Sequence, residues 1–475
     1  MSKCTCINTE KILLINIYLI ISFFIILSIF GIKSLDYELW LKYFSTITLI
    51  QFIFQCLIIG RSGMKIISLT GIFLIFSYLF HFGQILIAGF FPDYEFKIFN
   101  FVKNLDAYYV KESAAFSLIV ILAVGLGMLI SNKKVLPDSL AISKNEIAKC
   151  KKAGWILILL AFPIQLYLDI GKFIISIDNG YLATFKQEVP GFLQEIGFFS
   201  FTGFGLLILG YSKQKRKAII TYSIVVIYLI LTMFSGHRGH QLTIIIFLTY
   251  LLHKTTYQID IKRVIVIIIL AFLGLTLLNT IFSIREIEGM EFSIFLEVYY
   301  KKLRDNPLFE IVTEMGGTMY TPYLVMQKIP ENRQYAYGLT YPMGIFSVFP
   351  NVGGIFTNIN TYAYYVKNIR VSAIGGSYIG ELYYNFSYFG IFFAIFIGLF
   401  VNRISQKVEY LLNQKSYFSI GYYAPLFIYM IWWCRDVFSS LLRSTIWGVI
   451  VLVIINKLLK GSTYALDNKK YPSNK

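Results

Sequence analysis

Residues 218–252 read AIITYSIVVIYLILTMFSGHRGHQLTIIIFLTYLL. Two apolar runs flank the stretch 233–241, which carries His237, Arg238 and His240 between Gly236 and Gly239. A chain that passes from one greasy run through GHRGH into another is making the tight turn of a helical hairpin in lipid, because glycine lets the backbone reverse sharply. The rest of the chain agrees. Of its 475 residues, 57% are hydrophobic and 15% charged, against roughly a quarter charged in a soluble domain. Apolar runs recur that are long enough to cross a hydrocarbon core of about 30 Å as helices. The alternating pattern of a membrane β-barrel is absent. We therefore expect an all-α polytopic membrane protein forming one transmembrane domain over residues 1–475.

Twelve transmembrane helices are expected, near 11–32, 39–60, 66–91, 112–131, 153–170, 191–211, 218–234, 239–252, 264–283, 377–400, 420–437 and 445–460. The first follows only MSKCTCINTE, lacks a small-residue cleavage site, and reads as a retained helix. With both termini cytoplasmic, the inner loops and tails hold 25 of the 43 lysines and arginines, as the positive-inside rule requires. The net charge of +17 is thus chiefly a topology signal and an attraction to anionic membrane lipids. No nucleic-acid partner is implied. Cys4, Cys6, Cys56, Cys150 and Cys434 form no disulfide framework, and the Cys4–Cys6 pair lacks further ligands at metal-site spacing.

One connection is long. Residues 284–376 form a loop on the outer (periplasmic) face between the ninth and tenth spans, and loops of this length usually carry function or their own structure. Phe292, Phe295, Leu296, Tyr299 and Leu303 recur at helical spacing, predicting an amphipathic helix on the membrane or over a cavity. The Gly-, Pro- and aromatic-rich stretch from 321 to 358 reads as turns and short helices folded against the bundle. No internal repeat is evident.

Four constellations could carry chemistry. Seven arginines reach the outer face: Arg238, Arg285, Arg304, Arg333, Arg370, Arg435 and Arg443. Arginine offers a planar fork that binds phosphate oxygens two at a time, which suits a lipid-linked pyrophosphate, although snorkelling to headgroups or pairing with Glu286, Glu288 and Asp436 accounts for the same positions. The segment 374–390, IGGSYIGELYYNFSYFG, places Glu381 in a span on one face with Tyr384, Asn385 and Tyr388. An ionisable group there is a functional candidate, or a structural carboxylate pairing an arginine. The acidic pairs Asp36–Glu38 and Asp93–Glu95 suit a first-outer-loop acidic motif or simply solvated loops. His237 and His240, spaced i, i+3, lack a third zinc ligand. No metal site and no cofactor are expected.

Gly236-His237-Arg238-Gly239, the loop 284–376, and Gly375-Gly376-Ser377…Glu381-Leu382-Tyr383…Asn385-Phe386…Gly390 together resemble the Wzy-type O-antigen (oligosaccharide repeat-unit) polymerases. Tyr337-Gly338-Leu339-Thr340-Tyr341 followed by Pro350 is also similar, but Asn351-Val352-Gly353-Gly354 follow where charged residues are expected. The resemblance implies a glycosyltransferase C-like fold in the bacterial inner membrane. It implies a metal-independent glycosyltransferase whose substrates are undecaprenyl-pyrophosphate-linked glycans, with a chain-length regulator protein as a further partner. Arg238, Arg285, Arg370, Arg435 and Arg443, with Tyr384 and Asn385, would then bind pyrophosphate and substrate, and Glu381 would be the base, with His237 second. Rival readings are a lipid-linked oligosaccharide flippase, which should show two similar halves, and an O-antigen ligase. A membrane O-acyltransferase would use a buried histidine, for which His81 is the mid-span candidate.

Overall fold

Burying a backbone in hydrocarbon forces its N–H and C=O groups to pair within the segment, and every regular element among the described residues is helical. A computed structural model describes residues 2–96, 99–132, 142–179, 190–233, 239–258, 292–304, 307–349 and 375–470, with four isolated positions between 274 and 280. The helices are α1 (Ser2–Gly31), α2 (Tyr37–Arg61), α3 (Leu69–Phe90), α4 (Phe101–Asn104), α5 (Ala107–Ser131), α6 (Lys144–Asn179), α7 (Gly191–Gly210), α8 (Lys215–Thr232) and α9 (Gly239–Thr255). There follow α10 (Phe292–Arg304), α11 (Pro307–Gly316), α12 (Tyr320–Lys328), α13 (Thr340–Phe346), α14 (Tyr378–Phe386), α15 (Gly390–Asn413), α16 (Tyr417–Gly421), α17 (Ala424–Trp432) and α18 (Phe438–Lys470).

Among the described residues, eight helical segments are long and apolar enough to cross a membrane. They correspond to α1 to α3, α5 to α7, the α14–α15 pair and α18. Of the other four expected spans, 218–234 and 239–252 appear as the shorter helices α8 and α9, and 264–283 lies almost wholly outside the described residues. The expected span 420–437 is broken. Pro425 lacks the N–H to continue a helix and sits in the first turn of α17. A 3-10 turn at Trp433–Arg435 then ends it, with Asp436 extended. The expected span from 377 is interrupted too: Ser387 takes φ 54° between α14 and α15.

The inner helices are tied by close backbone approach and by buried polar side chains. A Cβ on Gly127 of α5 would overlap the carbonyl oxygen of Ile395 on α15, and one on Gly398 would overlap that of Val124. The two helices therefore touch backbone to backbone, the small-residue packing that membrane helices use in place of a hydrophobic driving force. Below that contact Asn402 donates to the Met128 carbonyl and to Ser131, and accepts from Thr70 on α3. Gln55, Tyr18 and Tyr78 form a second buried set across α1, α2 and α3. The outward faces of α1, α6 and α8 expose Phe23, Phe24, Leu159, Leu160, Ile224 and Ile227, as surfaces wetted by lipid should.

The long connection folds against the bundle where it is described. The amphipathic helix expected from its spacing is α10. Next, α11 lies on α3 so closely that a Cβ on Gly83 would overlap the Val312 carbonyl, and Gln84 donates to the Thr313 carbonyl at 3.1 Å. Beyond it, α12 and α13 reach α5, α14 and α18.

Candidate functional site

The N-terminus of α14 meets the middle of α3 and the N-terminus of α18, and α18 in turn meets the N-terminal part of α7. Ser377 starts α14 by the ordinary capping chemistry, its hydroxyl accepting from the N–H groups of Ile379 and Gly380 at 3.2 and 3.3 Å. Its oxygen also lies 2.8 Å from Nε2 of His81 on α3. The other ring nitrogen, Nδ1, is 2.8 Å from the Ser77 carbonyl. A carbonyl only accepts, so Nδ1 carries the proton and Ser377 donates to Nε2. Both side chains are fully buried. Tyr378 donates to Ser77 Oγ at 3.2 Å, completing a polar chain that ties α14 to α3.

One turn on, Glu381 is 2% exposed. Its Oε2 accepts from the N–H of Phe438 at 3.0 Å, where the first turn of α18 has no carbonyl to serve, and its Oε1 accepts from the Thr340 hydroxyl at 3.3 Å. A carboxylate at a helix N-terminus is stabilised by the exposed N–H groups and the helix dipole. Asn385 donates to Thr340 Oγ1 at 2.7 Å and to the Glu381 carbonyl at 2.8 Å. The backbone of 375–376 is pressed onto the helix break. A Cβ on Gly375 would overlap the Arg435 carbonyl, and one on Gly376 would lie 2.7 Å from the Asp436 carbonyl carbon. Only glycine allows that approach.

The expected residues divide as follows. Glu381, Tyr384 and Asn385 share one buried cluster. Tyr388 leaves the face predicted for it, because the turn at Ser387 re-aims it and its hydroxyl donates to Glu112 at 3.2 Å. Among the described residues, Glu381 is held by Thr340 and the Phe438 N–H rather than by an arginine. Arg435 lies over the rings of Phe80 and Trp432 at 5.9 and 6.0 Å. Arg333, named among the outer arginines, lies 5.7 Å over the Tyr384 ring. Arg443 pairs with Glu195 of α7 at 3.3 Å, and Ser444 donates to the same carboxylate at 2.7 Å. His240 sits among the rings of Phe198, Tyr429 and Trp432. Asp93 and Glu95 are exposed, as solvated loop acids would be. His237, Arg238, Arg285 and Arg370 lie outside the described residues. From sequence His81 was a candidate only for the rival acyltransferase reading, and Ser377 and Thr340 stood in the quoted motifs without a role; the available signals were a histidine inside a span and a serine before a helix.

Replacing Arg443 by Gln should destabilise the protein by about 1–2 kcal/mol, because Glu195 stays mostly buried with one partner fewer while the exposed part of the pair is screened. The double variant Glu195→Gln/Arg443→Gln should recover part of that loss in detergent unfolding. Equal loss in both would show that the pair is uncoupled.

A helical bundle with long apolar spans and a buried polar cluster where broken helices meet defines a polytopic membrane protein. The family model for the O-antigen polysaccharide polymerase Wzy matches residues 14–462, nearly the whole chain. The chain belongs to the O-antigen polysaccharide polymerase Wzy family. No curated protein and no solved structure matches it significantly. Membership makes it a multi-pass membrane protein with a general O-antigen polymerase role, a glycosyltransferase-type enzyme acting on lipid-linked oligosaccharide repeat units.

Proposed function

We propose that the chain polymerises undecaprenyl-pyrophosphate-linked repeat units at the outer face of the inner membrane. In this reading it has a glycosyltransferase C-like fold with both termini cytoplasmic, and loop 284–376 is periplasmic. The observation that carries the proposal is the placing of a buried carboxylate, Glu381, one segment away from Arg435 at a broken helix.

The acceptor sugar hydroxyl gives its proton to a base. Its oxygen bonds to the anomeric carbon of the growing glycan. The bond from that carbon to the carrier phosphate breaks, and the carrier leaves as a pyrophosphate anion. Glu381 is the base in this scheme: an acceptor hydroxyl takes the place of Thr340 at Oε1, the longer of its two contacts. Tyr384 and Asn385 line the acceptor side, and His237 is the second candidate base. Arg238, Arg285, Arg370, Arg435 and Arg443 hold the pyrophosphate and stabilise its growing charge, a preorganised electrostatic role that needs no metal. A chain-length regulator is a partner protein on the same face in this reading.

The test is the surface glycan of a strain lacking the gene, complemented by variants whose protein level is monitored. The deletion strain should show single repeat units without the long ladder, and loss of all surface repeats would instead favour a flippase or ligase. Complementation with Arg238→Ala should fail to restore the ladder, and Arg238→Lys should restore little of it, because lysine keeps the charge but loses the fork. Long chains in both variants would remove Arg238 from the pyrophosphate clamp.

A further inference from the structure

The connection between α12 and α14 carries a short stretch whose two faces are the wrong way round for water. Thr340, Gly344 and Val348, spaced by four, face the bundle and are buried. The outward face bears Leu339, Ile345, Phe346 and Phe349, which are 57%, 50%, 41% and 56% exposed. An apolar outer face on a short helix is the pattern of a segment in contact with lipid.

Its neighbours on both sides are membrane spans. On one side Trp447 of α18 donates through Nε1 to the Val348 carbonyl at 2.8 Å, and Ser347 approaches the Ser439 carbonyl. The exposed apolar stripe of α18 begins just past that tryptophan, with Val449, Ile450, Val453 and Ile454. On the other side Tyr341 stacks on Phe386 at 6.1 Å, and Phe386 stacks on Phe393 of α15 at 3.8 Å. There Phe389, Phe392 and Phe396 are exposed. The stretch therefore bridges two outward apolar stripes on helices apolar enough to cross the membrane. Its first helical residue is Thr340, which donates to Glu381.

We propose that residues 339–349 are immersed in the bilayer and that their outward face receives the polyprenyl tail of the lipid-linked substrate. This rests on the polymerase reading above. A substrate that joins a pyrophosphate to a long hydrocarbon chain needs a polar site with hydrocarbon-facing surface beside it. This stretch supplies both within ten residues, starting at the hydroxyl bonded to Glu381. The lipid stripe on α1, at Phe23, belongs to a helix that packs on α2 and α5 and serves as the comparison.

The test uses the full-length protein in phosphatidylethanolamine–phosphatidylglycerol vesicles containing undecaprenyl phosphate. Phe346, Phe349 or Phe23 is replaced in turn by photoactivatable p-benzoylphenylalanine, and adducts are weighed after irradiation. Each variant is first required to extract as monodisperse protein at the level of the parent chain, which establishes that it folds. Prenyl adducts several-fold more abundant at 346 and 349 than at 23 are expected. Equal prenyl labelling at all three positions would mean bulk lipid only and would overturn the tail site. Absence of any lipid adduct at 346 and 349, with normal labelling at 23, would overturn the immersion. Failure of the polymerase reading shows separately, as an unchanged ladder on gene deletion.

Discussion

Glu381→Gln is expected to fold and to leave single repeat units on the cell surface where the parent chain makes a long ladder. The amide keeps the shape of the carboxylate and an oxygen able to accept from the Phe438 N–H, so the first turn of α18 stays capped. What it loses is basicity, and with it, in the proposed scheme, the acceptance of a proton from the acceptor sugar. General-base removal typically lowers rate by about 100- to 10,000-fold. Glu381→Ala differs: it strands the Phe438 N–H and the Thr340 hydroxyl in a buried cluster, which should cost about 2–4 kcal/mol and reduce the amount of folded protein as well. The comparison of the two, by ladder and by detergent unfolding, separates chemistry from support. A Gln variant that still makes long chains, at normal protein level, would leave Glu381 as a clamp on α18 and move the base elsewhere, with His237 next in line.

The largest effect on folding is expected from Gly127→Val and Gly398→Val. Each added side chain would collide with a backbone carbonyl of the partner helix, at Ile395 and Val124 respectively. A side-chain neighbour can rotate away, but a helix backbone can only move as a body. Separating α5 from α15 also pulls Asn402 from Met128 and Ser131. Each substitution should cost about 3 kcal/mol or more, read as loss of monodisperse protein after extraction. Gly31→Ala is the control, since nothing lies within 4 Å of a Cβ there, and it should change little. Normal yield from both valine variants would mean that the α5–α15 contact is not the backbone-to-backbone seam described above.

Much of the fold was readable from composition because lipid imposes one simple rule on long apolar runs. The positions of α2, α3 and α7 follow their runs within a few residues, α1 and α5 start earlier than their runs, at Ser2 and Ala107, and the amphipathic spacing of 292–303 became α10. Breaks were harder to see. Pro425 offers a sequence reason for the discontinuity between α16 and α17, but Ser387 turns the chain with no proline beside it. In the site, Glu381 and Asn385 stood out because polar groups inside a span need a reason. Their partners did not stand out: Thr340 and the Phe438 N–H are ordinary groups, chosen by packing between segments remote in sequence. The same holds for His81, whose ring position was noticed but whose link to Ser377 spans 296 residues.

That separation has a meaning for how the protein is made. At about 5–20 residues per second of synthesis, the 296 residues between His81 and Ser377 take roughly 15–60 s to emerge. Throughout that interval the imidazole on α3 lacks the Ser377 hydroxyl, which has not been translated. Glu381 then waits in its turn for the backbone at 438. The Glu381 end of the bundle is therefore closed last, by the final span, and a nascent chain halted before residue 438 has Thr340 but not the Phe438 N–H to hold its carboxylate. Membrane quality control would meet such a chain as a polar helix without its mate.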